Sequence, residues 1–241
     1  MIGIILAAGY GTRMQDLTQH RPKGLLRIGG KRVLDYAYAQ LNGIELDDIY
    51  LVSNDKYADS LQRWCETRNI KLINNQTKSP EERLGALGDL MYVIDKEKID
   101  DDLFVIGSDA VCEFDLSLMI RKFKKTGHHV IAAVNCHDIS LMPQLGEVDI
   151  NFDGGTVARF VEKPKKPRST ISSTVFYAFQ KKVINQLRDY LAAENSPDNS
   201  GSLIEYLISV DDVYATMYDE TWIDIGTVES YYAAKEKFRR R

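Results

Sequence analysis

"LAAGYGTRMQDLTQHRPKGLL", Leu6 to Leu26, decides the reading of this 241-residue chain. It continues the apolar run IGIIL (2–6) and places Gly9 and Gly11 ahead of Arg13 and, further on, Lys23. An apolar run that breaks into glycines is the pattern of a buried parallel strand feeding a phosphate loop. Two common loops are excluded. The dinucleotide pattern G-x-G-x-x-G fails because Met14 stands at its third glycine. The pattern G-x-x-x-x-G-K-[ST] fails because the Lys23 segment PKGLL lacks both its glycine and its hydroxyl. What remains is a strand leading into backbone amides, with an arginine fork and a lysine point charge nearby. A tight turn with two solvated cations would read the same way, so the loop alone leaves both readings open.

Working outward, apolar runs alternate with helical patterns. DIYLVS (48–53), IKLIN (70–74), DLFVIGS (102–108) and HVIAAVN (129–135) read as strands. Helices are expected over VLDYAYAQLNG (33–43), from Tyr57 to Thr67, over GALGDLMYVIDK (85–96), and after Asp115. This alternation predicts an α/β fold: a Rossmann-like, mixed, mainly parallel sheet with helices on both faces. From about residue 136 the pattern changes. GEVDINFDGGTVARFVEKP (146–164) alternates around Asp153-Gly154, a hairpin signal. STVFYAF (173–179), VYATMY (213–218) and TWIDIG (221–226) read as further strands, and ENSPDNSGS (194–202) as a polar loop. His128 and His129 are expected in an exposed turn. With no repeat or linker, residues 1–241 are expected to form one domain, with halves at about 1–135 and 136–241.

Composition excludes several function classes. The net charge of −4 argues against a nucleic-acid partner, so an anionic ligand must be caught locally. No stretch approaches the roughly 18 apolar residues of a membrane span. The N-terminal run lacks a basic segment and stops at glycine, unlike a signal peptide. Cys65, Cys112 and Cys136 are scattered and odd in number, which suits reduced thiols in a cytoplasmic protein.

Four segments together resemble the signature of the sugar-phosphate nucleotidyltransferases, the NDP-sugar pyrophosphorylases of glucose-1-phosphate thymidylyltransferase type. They are LAAGYGTRM with RPKGLL, FVIGSDAV (104–111), VARFVEKP (157–164) and WIDIGT (222–227), in family order over nearly the whole chain. The resemblance implies the nucleotide-diphospho-sugar transferase fold, with a first, nucleotide-binding half and a second, sugar-phosphate-binding half. It implies Mg²⁺-assisted in-line attack of a sugar 1-phosphate on the α-phosphorus of a nucleoside triphosphate, releasing pyrophosphate. Arg13, Lys23 and Asp109 would be catalytic, and Asp109 with Asp224 would hold the metal. Leu6, Ala8, Gly9, Gly11, Thr12, Arg13, Asn75 and Gly85 would bind the nucleotide. Gly146, Glu162, Lys163 and Thr174 would bind the sugar phosphate. Two departures stand out: Gly107-Ser108-Asp109 replaces the usual Gly-Asp, and Thr174-Val175 replaces a small residue.

The same loop and metal pair would serve a cytidylyltransferase acting on a polyol or choline phosphate. A catalytically silent nucleotide-binding regulatory subunit is a third reading, weakened by the presence of Arg13, Lys23, Asp109 and Asp224. The resemblance also implies a homo-oligomer. The sequence stops shortly after WIDIGT, so no appended β-helix or acetyltransferase domain is expected.

Overall fold

The computed structural model describes residues 1–152 and 154–239. The first half contains β1 (Ile2–Leu6), a small hairpin of β2 (Arg27–Ile28) and β3 (Lys31–Arg32), α1 (Val33–Ala39), β4 (Asp48–Ser53), α2 (Ala58–Cys65), β5 (Lys71–Asn74), α3 (Gly85–Glu97) and β6 (Leu103–Gly107). There follow β7 (Ala110–Cys112), α4 (Ser117–Thr126), β8 (His129–Asn135), β9 (Gly146–Ile150), β10 (Val157–Glu162) and β11 (Ile171–Phe179). The chain closes with α5 (Val183–Ala192), α6 (Ser200–Val210), β12 (Val213–Tyr218), β13 (Trp222–Asp224) and α7 (Val228–Arg239).

Nine of the strands form one sheet. The order β5-β4-β1-β6 is all parallel. β11 then runs antiparallel to β6 and β8, and β12 runs parallel to β8 at the far edge. The antiparallel pair β9–β10 extends the sheet from the N-terminal part of β11. Side chains alternate across the sheet, as strand geometry requires. Ile4, Val105 and Ile131 enter one core beside α3, α5 and α6; Ile5, Ile106 and Ala132 enter the other beside α1, α2 and α4. Both cores draw on both halves of the chain.

A third apolar cluster positions the site. Met14, Ile28, Val33, Val111, Ile225, Tyr231 and Phe238 pack together, binding the glycine loop, the β2–β3 hairpin and α7 to the ribbon of β7 and β13.

The mixed sheet has the expected parallel half, and β9 and β10 pair as the alternation predicts. Asp153 of the expected turn lies outside the described residues, as do Arg240 and Arg241. Two features depart from expectation. His129 is not in an exposed turn: it opens β8, is fully buried, and its Nε2 lies 3.0 Å from Gln186 Oε1. The segment from Ser200 to Val210 is helical, although residues 200–202 were expected in the polar loop and no helix was expected beyond it; Leu203, Ile204 and Leu207 are buried at helical spacing.

Candidate active site

β1 has β4 and β5 on one side and β6 on the other. The chain therefore reverses its winding between β1 and β6, and open α/β sheets bind ligands at such switch points, beyond the carboxyl ends of the strands. A cleft of about 550 Å³ opens there.

The glycine loop after β1 forms its floor. Gly11 has φ +65°, a left-handed conformation that glycine adopts without strain. The loop is tied from behind by its carbonyls. Asn54 Nδ2 donates to Ala8 O at 2.8 Å, and Thr18 Oγ1 donates to Gly11 O at 2.9 Å. The Tyr57 hydroxyl lies 3.0 Å from Tyr10 O and 2.6 Å from Thr18 O. The N–H groups of Gly9, Tyr10, Gly11 and Thr12 donate to no group among the described residues. A row of unpaired amides facing a cleft is an anion cradle.

Charged groups gather at the β6 end. Lys23 Nζ lies 2.5 Å from Asp109 Oδ2, and the Asp109 side chain keeps 30% exposure, open to a ligand. Gly24 fits closely here, since a Cβ at that position would meet Ser108 O at 3.1 Å. Asp224 reaches Asp109 from 115 residues away through the β7–β13 ribbon, in which Asp224 pairs with Ala110 and Ile225 N donates to Asp109 O at 2.7 Å. Arg13 closes the group: a Cβ on Gly226 would lie 2.5 Å from Asp224 Oδ2 and 3.8 Å from Arg13 Nη2.

The charges shift Lys23 and the two carboxylates. Burial alone would raise the Asp109 carboxyl; Lys23 and then Arg13 outweigh it and hold the group below its usual range. Burial, and next the charge of Asp109, push the Asp224 carboxyl up to about 6. Burial disfavours the Lys23 ammonium, but Asp109 and Asp224 overcome that and raise its pKa. A divalent cation between the two carboxylates would relieve their mutual repulsion. No group of three or more His, Cys, Asp or Glu suited to a metal exists among the described residues. Two carboxylates suit Mg²⁺, which takes one or two from protein and completes its shell with phosphate oxygens and water.

Of the residues expected from sequence, Leu6, Ala8, Gly9, Gly11, Thr12, Arg13, Lys23, Gly85, Asp109 and Lys163 line the cleft. Asp224 borders it and opens onto a neighbouring hollow of about 600 Å³. Glu162 is half-buried, 3.4 Å from Lys163 Nζ, with Oε2 against the start of α6 at Gly201.

Three residues sit differently. Asn75 is 6% exposed and does not line the cleft. Its Nδ2 donates to Asp89 Oδ1 at 2.6 Å, and its Oδ1 accepts from Thr77 N at 3.0 Å and Thr77 Oγ1 at 2.8 Å. Thr174 is fully buried and donates to Ala132 O; strand alternation turns its neighbour Val175 to the cleft instead. Gly146 is buried because Phe160 packs over it, with Cζ 2.6 Å from where a Cβ would stand.

The sequence reading did not single out Tyr10 or Asp89, which line the cleft together with Val175 and residues Asp198–Ser200 of the polar segment. Asp89 carried a signal: it lies four residues before the buried Val93, on the apolar face of α3.

A family model for nucleotidyl transferases matches residues 2–241, and the chain belongs to that family. It is 30% identical over 232 residues to a putative mannose-1-phosphate guanyltransferase of Sulfolobus acidocaldarius, covering 95% of this chain and 60% of that protein. It is 24% identical over 241 residues to the UTP–glucose-1-phosphate uridylyltransferase AglF of Haloferax volcanii, covering 99% of this chain and 97% of that one. The chain spans between 51% and 60% of the length of the first three curated relatives it matches. A putative glucose-1-phosphate thymidylyltransferase from Bacillus anthracis, crystallised with sucrose, shares the fold with a TM-score of 0.84 at 20% identity, over 100% of this chain and 96% of that one. No helix among the described residues is long and apolar enough to cross a membrane.

Proposed function

We propose that this protein transfers a nucleotidyl group from a nucleoside triphosphate to a sugar 1-phosphate, forming an NDP-sugar and pyrophosphate in the cytoplasm. One observation carries the reading. The unpaired amides of Gly9–Thr12, the cations Arg13 and Lys23, and the carboxylates Asp109 and Asp224 meet at one strand-order reversal. The relatives' names agree on sugar 1-phosphates as acceptors but differ in the base.

The chemistry follows from charge. A sugar-phosphate oxygen is already an anion near neutral pH and needs no protein nucleophile. The barrier lies in bringing one anion onto another, so catalysis consists of positioning and neutralisation. The loop amides hold the phosphate chain. Arg13 grips the leaving pyrophosphate, and Lys23, fixed on Asp109, faces the α-phosphate. Lys163, held by the Asn199 side chain, meets the acceptor phosphate from the opposite wall. Asp109 and Asp224 would hold Mg²⁺, which when bound supplies charge neutralisation at the α-phosphate.

The test is a matrix of five triphosphates against sugar and polyol phosphates, scored by pyrophosphate release with and without Mg²⁺. Release with a sugar 1-phosphate, lost on chelation, supports the reading. Release only with a polyol or choline phosphate would replace the acceptor assignment, and no release with any pair would leave a binding protein.

A further inference from the structure

Asp89 is a carboxylate in a cleft built for anions, and none of the phosphate chemistry above uses it. It projects from the first turns of α3, is 8% exposed, and lines the cleft with Gly85 and Ala86. Asn75 donates to its Oδ1 at 2.6 Å. Among the described residues nothing donates to Oδ2, and Asp89 forms no ion pair. Burial pushes its pKa up to about 6, which leaves it mainly ionised at pH 7.5.

Its orientation is fixed from behind. Asn75 is held by Thr77, and the hydroxyl of the cleft residue Tyr10 donates to Thr77 Oγ1 at 3.0 Å. A buried carboxylate with one oxygen left open is costly unless a donor meets it. Asp89 is tied to the end of β5, whereas Asp109 follows β6. With β4 and β1 between them, these ends lie three strand spacings apart, roughly 14 Å. A nucleotide with its phosphates on Arg13 and Lys23 would have that span in which to carry its nucleoside toward Asp89.

We infer that Asp89 reads the nucleobase, accepting the adjacent ring and exocyclic N–H donors of guanine. The inference rests on the nucleotide reading above and adds the base to it. An ionised carboxylate only accepts hydrogen bonds, and each oxygen has lone pairs to spare beside Asn75. Guanine presents N1–H and N2–H side by side, two donors for two oxygens. Uracil and thymine present one N–H between two carbonyl oxygens, which the carboxylate repels. Adenine and cytosine set an amino donor beside a ring-nitrogen lone pair, with the same conflict.

Inosine triphosphate, guanosine triphosphate without the 2-amino group, isolates the contact. The wild-type protein should favour GTP over ITP by about tenfold or more in kcat/KM, and over ATP, CTP, UTP and TTP by at least as much. In Asp89→Asn the amide carbonyl keeps the Asn75 bond and an NH₂ donor faces the base, so the GTP/ITP ratio should fall to about one. The same ratios are to be measured by calorimetric nucleotide binding. GTP-selective binding without pyrophosphate release would defeat the transferase reading and leave the base assignment standing. A wild-type GTP/ITP ratio near one, tighter binding of any other base, or an unchanged ratio in Asp89→Asn would overturn the base assignment. Should the variant fail to fold, the wild-type ratios alone decide.

Discussion

Gly85→Ala is the substitution whose cost the geometry specifies most fully. Gly85 has φ +79°, and a Cβ there would stand 2.5 Å from Pro197 O and 2.7 Å from its carbonyl carbon. Those are backbone atoms of the loop leading into α6, so no side-chain rotation relieves the clash. The loop must retreat by almost 1 Å to reach ordinary contact, about 3.4 Å, breaking the 2.9 Å bond from Leu87 N to Pro197 O. Left-handed backbone with a Cβ costs roughly 1–2 kcal/mol, and the lost hydrogen bond about 1 more. A loss of about 2–3 kcal/mol corresponds to a Tm fall of about 4–12 °C in a chain of this size. Gly43→Ala is the control, since Gly43 has φ +86° with nothing within 4 Å of its Cβ position. It carries the backbone cost alone and should melt about 2–4 °C above Gly85→Ala. Because Asp198, Asn199 and Ser200 line the cleft, Gly85→Ala should also raise the KM for substrate, while Gly43→Ala should not. Equal Tm values for the two variants, with equal KM values, would refute the argument that this loop is seated on Gly85.

Asp109→Asn should lower turnover by about 100-fold or more, in line with loss of a preorganised charge, while leaving metal-free nucleotide binding undiminished because the site gains a net positive charge. Pyrophosphate release and equilibrium titration measure the two effects, and turnover within twofold of wild type contradicts the assignment. Tyr57→Phe removes the hydroxyl beside Tyr10 O and Thr18 O; it should cost about 1 kcal/mol in urea unfolding and weaken nucleotide binding, and unchanged affinity would show that the loop holds itself. His129 is buried, and burial holds its imidazole at about 4, below the roughly 6.5 of an unfolded chain. The unfolded state therefore binds the proton first as pH falls, so the stability contributed by neutral His129 is complete above about 6.5 and is lost toward 4, on the order of 3 kcal/mol. The stability difference between wild type and His129→Gln should shift against wild type by that order from pH 7 to pH 4.5, and a constant difference contradicts it.

Much of the phosphate end was legible because it is local. The strand, the paired glycines and Arg13 lie within twelve residues, and Asp109 follows an apolar strand with only Ser108 between. The β7–β13 ribbon that joins Asp109 to Asp224 is three residues per strand and depends on the third apolar cluster, which no periodicity reveals. The acceptor side was legible only in part. Whether Thr174 or Val175 faces the cleft turns on the register of β11, which shifts between Ser173 and Tyr177, and a one-residue change flips every side chain. At Asn75 the pattern is ambiguous because a polar residue at a strand end can serve a ligand or a neighbour equally well, and here Asp89 and Thr77 hold it. The helix α6 was hidden because ENSPDNSGS reads as loop until Leu203, Ile204 and Leu207 find a core formed by distant strands.

The most direct test is a crystal structure with Mn²⁺ in place of Mg²⁺ and a non-hydrolysable triphosphate, with the metal located by anomalous scattering. One metal peak between the carboxylates of Asp109 and Asp224, with phosphates on the amides of Gly9–Thr12, is the predicted result. A metal held elsewhere, or a triphosphate bound away from that loop, would contradict it.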